Sequence, residues 1–154
     1  MAFSRISVAV LSCPSYDGSE GAKEALKYAL DLKCTCDEYY VLYVIPTIVG
    51  ISASFDSYIP QSVYEGQDKT ATEILEKAKK ILEKEGVKYE LIKANSNGEE
   101  IAKIVLETAK DKGVDLIVTG TRKLHGFSKL ILGSVSSGII AHSDIPVTVV
   151  PPKE

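Results

Sequence analysis

Residues 114–151 read VDLIVTGTRKLHGFSKLILGSVSSGIIAHSDIPVTVVP, and the fold can be read outward from this stretch. Val114 to Val118 is an apolar, β-branched run too short for a helix, which predicts a buried strand. Thr119-Gly120 ends it. A polar, basic loop follows with Arg122, Lys123, His125, Gly126 and Lys129. Gly133-Ser134 stands where a short helix should begin, and Val147 to Val150 reads as a last strand. A strand, a glycine-containing loop and a fresh helix N-terminus leave backbone N–H groups pointing into a hollow. Those donors, with the positive end of the helix dipole, suit a phosphate.

Upstream, strands and helices alternate. Ile6 to Leu11 is the first strand; Ala22, Ala25, Leu26, Ala29 and Leu30 then follow helical spacing. Tyr39 to Ile45 is an apolar, aromatic strand stopped by Pro46. Thr47 to Lys69, with Gly50, Pro60 and several serines, reads as an irregular connection, long enough to be a lid or a mobile segment. Ala71, Ile74, Leu75, Ala78, Ile81 and Leu82 give the clearest helical stripe, closed by Gly86. Val87 to Lys93 is the third strand. Ser96 and Glu99 have capping-box spacing for a helix whose inner face carries Ile101, Ile104, Val105 and Thr108. Gly113-Val114 repeats the helix-to-strand joint of Gly86-Val87. Five strands alternating with four helices predict an α/β sheet, largely parallel, covered on both faces.

Bulk properties narrow the function. A chain of 154 residues with 45% hydrophobic and 25% charged residues is expected to form one domain, 1–154, with a real core. The 18 basic and 21 acidic residues give a net charge of −3, which argues against nucleic acid as the main partner. No run approaches a membrane span. Arg5, ISVAVL and Ser12-Cys13 faintly resemble a lipoprotein export signal, but the apolar run is shorter than the roughly 7–15 residues of a signal core. The same residues make a good strand, and the cytoplasm is the expected compartment. Cys13, Cys34 and Cys36 are too few and too irregularly spaced for a disulfide framework, and two histidines leave a zinc site few partners. No P-loop and no dinucleotide-binding glycine fingerprint occurs.

The stretch from Gly120 to Ser134 resembles the nucleotide motif of the universal stress protein family: glycine, two residues, glycine, nine residues, then glycine and serine or threonine. Gly120 fills the first position and Gly133-Ser134 the last, followed by Val135, while Lys123 stands at the middle glycine. The resemblance covers nearly the whole chain. It implies an open five-stranded parallel sheet of order 3-2-1-4-5, Rossmann-like and similar to the adenine nucleotide alpha hydrolases. The ligand crevice then lies at the switch point between strands one and four.

The resemblance further implies ATP, accompanied by Mg²⁺ through its phosphates and water. The implied contacts are Ala9, Val10 and Leu11 at the end of strand one, Asp17 beyond it, Val44 near the base, and Thr119, Gly120, Arg122, Lys123, Gly133, Ser134 and Val135 around the phosphates. Asp17 stands about six residues further from the strand than the family's acidic contact, so either it reaches back from a longer loop or Leu11 takes the position and the contact is lost, Asp17 then being a helix cap or turn residue. Gly120 either admits a phosphate or makes a tight turn; Ser134 adds a hydroxyl to the cradle, caps the helix, or both. Lys123 either crowds the phosphates or, with Arg122 and Lys129, supplies charge. No residue set nominates a base for hydrolysis.

The expected function is a nucleotide-dependent stress-response regulator with, at most, slow ATP turnover. The alternative is a nucleotide-free dimeric adaptor of the same family. A homodimer through strand 146–150, an unknown regulatory protein partner, and no nucleic acid or membrane complete the expectation.

Overall fold

The structure, a computed structural model, describes residues 5–10, 19–47, 61–121 and 133–151. In chain order the elements are β1 (Arg5–Val10), α1 (Ser19–Asp31), β2 (Glu38–Ile45), α2 (Gln61–Glu85), β3 (Tyr89–Asn95), α3 (Ile101–Asp111), β4 (Leu116–Gly120), α4 (Ser134–His142) and β5 (Val147–Val150). The five strands form one sheet in the order β3-β2-β1-β4-β5. All four pairings are parallel, with Ala9 opposite both Leu42 and Thr119.

Strand side chains alternate between two cores because a strand has a period of two. Tyr39, Val41, Tyr43, Ile45, Leu116 and Val118 pack under α1 and α2, against Ala25, Leu26, Ala29, Leu75 and Leu82. Tyr40, Leu42, Val44 and Ile117 pack under α3 and α4, against Ala102, Val105, Ala109 and Ile139. Burial on both faces explains why β2 and β4 read as continuous apolar runs rather than alternating ones. Buried Tyr39 still finds a partner: its hydroxyl donates to the Ala29 carbonyl at 3.0 Å, fixing α1 to β2. Burial pushes its phenol pKa up, with the neighbouring Cys36 thiol adding to the shift.

Both helix-to-strand joints are Schellman motifs. At the end of α2 the Gly86 N–H donates to Glu83 O and the Val87 N–H to Leu82 O; at the end of α3 Gly113 donates to Lys110 O and Val114 to Ala109 O. The two glycines sit at φ 67° and 63°, left-handed conformations that penalise a Cβ. This motif moves the strand starts. β3 begins at Tyr89, not Val87, and β4 at Leu116, not Val114, because Val87 and Val114 are spent on the cap and on its apolar contact. In the centre of the sheet, β1 begins at Arg5, one residue before Ile6, and spans Arg5–Val10, while Leu11 lies outside the described residues.

Three further expectations are corrected. Residues 61–69, read as part of an irregular segment, are the first turns of α2. Among them only Gln67 is even half-buried, so they carry no apolar stripe to reveal the helix. The inner face of α3 is Ala102, Val105 and Ala109, with Ile101, Ile104 and Thr108 at its margins. Small residues at its centre let α3 sit close: a Cβ added at Gly138 of α4 would lie 2.8 Å from the Ala102 Cβ.

Ser96 and Glu99 form no capping box. The N-cap of α3 is Glu100, without a side-chain bond. Buried Ser96 instead joins the ends of two strands: its N–H donates to Ile45 O at 3.0 Å, its Oγ accepts the Thr47 N–H at 2.7 Å and donates to Thr47 Oγ1 at 3.1 Å. Ser96→Ala should therefore cost about 1–1.5 kcal/mol by removing both hydrogen bonds to Thr47. Glu99→Ala should stay within about 0.5 kcal/mol of wild type, as a surface change. Urea unfolding midpoints check both; equal losses from the two would restore the capping box.

Candidate functional site

The crevice lies where the strand order turns. β1 is followed through α1 by β2 on one side, while β4 lies on its other side, so the carboxyl ends of β1 and β4 diverge from each other's connections. Ala9 stands opposite Thr119 across that pair, and Val10 is the last residue of β1. Thr119 is fully buried, and its Oγ1 lies 3.4 Å from Gly120 O. Beyond it the Thr121 N–H donates to Val150 O at 3.0 Å, tying the exit of β4 to the end of β5.

Gly120 has a role that neither the phosphate nor the turn reading of it anticipates. A Cβ there would lie 2.5 Å from Gly21 O and 2.7 Å from Gly21 C, so the missing side chain is the seat of helix α1. Helix and strand thus touch backbone to backbone at the mouth of the crevice. From the opposite face of the sheet, α4 reaches the same residue: the buried Ser136 hydroxyl donates to Gly120 O at 3.4 Å.

α4 starts with Gly133 as its N-cap, at φ −69° and ψ 168°, and its first ladder bond is Ser137 N–H to Gly133 O at 3.0 Å. The N–H groups of Ser134, Val135 and Ser136 precede that ladder, as at any helix start. No acidic residue occupies this first turn, and His142 sits in the last, with Nδ1 3.0 Å from Gly138 O. The absence of an acid leaves the positive end of the helix dipole unneutralised. Ser134 is exposed and is the first helical residue, not the cap; Val135 is half-buried against the second core. Val44 is fully buried in that core, one residue beyond the last β1–β2 pair, so packing already accounts for its apolar side chain.

The structure pairs Ala9 with Thr119, ends β1 at Val10 and β4 at Gly120, and links α4, which opens with Gly133, Ser134 and Val135, to Gly120 through Ser136; Val44 and Val135 share the second core. Leu11, Asp17, Arg122, Lys123, His125 and Lys129 lie outside the described residues. Sequence reading missed Gly21, Thr121 and Ser136. Only Gly21 gave a signal, a glycine placed inside a helical pattern where helix propensity disfavours it. Among the described residues no group of three or more His, Cys, Asp or Glu is placed to hold a metal, and no helix is long and apolar enough to cross a membrane.

Such a sheet, with a glycine-lined edge at its switch point, defines an α/β protein of the Rossmann-like kind. The universal stress protein family model matches residues 13–151, and the chain belongs to that family. It is 36% identical over 141 residues to the universal stress protein YxiE of Bacillus subtilis, an alignment covering 87% of this chain and 93% of the relative. Two solved structures share the fold. One is an Arabidopsis thaliana universal stress protein family protein with AMP bound, at TM-score 0.69 and 19% identity, covering 97% of this chain and 92% of that one. The other is an Archaeoglobus fulgidus universal stress protein in complex with dAMP, at TM-score 0.62 and 21% identity, covering 99% of this chain and all (100%) of that one.

Proposed function

We propose that this protein binds an adenine nucleotide, ATP with Mg²⁺, at the β1/β4 edge and acts as a nucleotide-dependent stress-response regulator rather than a metabolic enzyme. The observation that carries the reading is the convergence on Gly120 of the end of β4 and the N-terminal turn of α4, through Ser136. The phosphates would meet the N–H groups of Ser134 and Val135 and the Ser134 hydroxyl, beside the side-chain-free Cα of Gly120. Ala9, Val10, Leu11, Asp17 and Val44 would hold the nucleoside, and Thr119 would shape the floor. Mg²⁺ would arrive with the phosphates and keep its water. AMP and dAMP on two relatives of this fold support an adenine ligand. With no base assigned, turnover would be slow, and the readout would be conformational.

One specific residue favours a second reading, a nucleotide-free adaptor: Lys123 occupies the position where the family motif has glycine. The two are separated by what freshly purified protein releases on heating. Stoichiometric ATP or ADP in the supernatant is expected. If none is released and Mg-ATP titration also fails, binding created by Lys123→Gly would establish the adaptor reading. Weaker binding in Lys123→Gly, starting from a wild type that binds, would place the lysine on the phosphates; unchanged binding would show it merely tolerated.

The protein would act as a homodimer. β5 is an edge strand, paired on one side to β4, and its four residues are all half-buried. Pro146 and Pro151 bracket it and limit further pairing. Light scattering at micromolar protein should give twice the 16.7 kDa chain mass. A mass of one chain would remove the dimer from the account.

A further inference from the structure

We infer that Gly21 is a positioning residue for the nucleotide, one that sets the distance between the N-terminus of α1 and the end of β4. The inference rests on the function proposed above and deepens it. Gly21 is the third residue of α1, and a Cβ on it would lie 3.0 Å from Thr121 O. Its own carbonyl fills the place of a Cβ on Gly120. Two reciprocal contacts thus bring the first turn of α1 against residues 120 and 121 with no side chain between them.

Those residues are held from the other directions too. The Thr121 N–H is bonded to Val150 O, and Gly120 O accepts the Ser136 hydroxyl. β4 is therefore the fixed wall, and α1 is the element that must move if the contact is spoiled. The first turn of α1 and the first turn of α4 both abut Gly120, so two helix N-termini flank one strand end. Each carries backbone N–H groups outside its ladder and the positive end of a dipole, offset in part at α1 by Glu20 in its first turn. A phosphate chain lying along Gly120 feels both only while α1 stays seated. Gly21 touches no ligand in this scheme; it acts through the placement of α1.

Mg-ATP titration calorimetry on three chains tests this: wild type, Gly21→Ala and Ala29→Gly. Ala29 is buried on the same helix more than two turns further along, away from the crevice. Its substitution loosens α1 without touching the contact. Gly21→Ala should weaken Mg-ATP roughly tenfold, while Ala29→Gly lowers the melting temperature at least as much and keeps affinity within about twofold. Affinity unchanged in Gly21→Ala overturns the inference, as do losses in both variants that merely track their melting temperatures. A wild type that binds no Mg-ATP removes the proposed function and this inference together, and that is seen before any variant is compared.

Should Gly21→Ala not fold, amide exchange on the wild type decides. Mg-ATP should slow exchange at residues 19–22 as well as at 120 and 134–136. Protection confined to 120 and 134–136 overturns the role of α1.

Discussion

Gly120→Ala should cost about 3 kcal/mol of stability, the upper end of overpacking penalties, and lower the melting temperature by roughly 6–12 °C. The added Cβ would meet the carbonyl oxygen and carbon of Gly21 at 2.5 and 2.7 Å, and the Ala22 nitrogen at 3.3 Å. These are backbone atoms of a helix, so no rotamer change relieves the clash, and α1 must lift off the strand end. Nucleotide affinity should fall with it, since the displaced helix borders the crevice. Gly133→Ala is the contrast. A Cβ there meets nothing within 4 Å, and the residue's φ of −69° is open to alanine. As an N-cap change it should cost about 0.5–1 kcal/mol, because glycine outranks alanine at that position, still well below the loss at Gly120. Differential scanning calorimetry on the pair tests the assignment. Equal, small shifts would mean that Gly120 is a motif residue with no packing duty.

Ile139→Ala should cost about 3 kcal/mol, within the range for a large buried aliphatic side chain reduced to alanine. It should also weaken Mg-ATP roughly tenfold. Of the two buried residues on α4, Ser136 and Ile139, only the second is apolar, and it is 0% exposed within the core shared with α3. α4 has nine residues, too few to be stable alone. Removing its anchor leaves Gly138 against Ala102 and the Ser136 hydroxyl bond to hold the helix, so its N-terminal turn would lose its fixed relation to Gly120. Urea unfolding and calorimetric titration together check this. A full stability loss with unchanged affinity would show that α4 does not present the phosphate donors.

These two residues also mark what a sequence can and cannot display. Ile139 belongs to an element whose start was legible, because Gly133-Ser134 punctuates the chain. The stripes of α1 and α2 were legible for a similar reason: Ala25, Leu26, Ala29 and Leu75, Ala78, Leu82 repeat at helical spacing, and all are buried. The first turns of α2 were not, since Val63 and Tyr64 are exposed and form no buried face. Ser96 followed by Glu99 satisfied a local pattern, yet the Ser96 hydroxyl bonds Thr47, just past the end of β2, a partner that local spacing cannot announce. The same limit applies at the site. Gly120 was singled out as a motif residue, but the packing reason for its missing side chain lies 99 residues earlier, at Gly21. Thr121 and Ser136 carry no motif of their own and become visible only once β4, β5 and α4 are assembled.

Photolabelling with azido-ATP, followed by mass-spectrometric mapping of the labelled peptides, addresses ligand and location at once. The account predicts saturable label that ATP competes away, carried by peptides from the end of β2 around Val44 and from the segment between Thr121 and Val135. Label that ATP does not displace, or that falls on α2 or α3, would contradict an adenine nucleotide site at the β1/β4 edge.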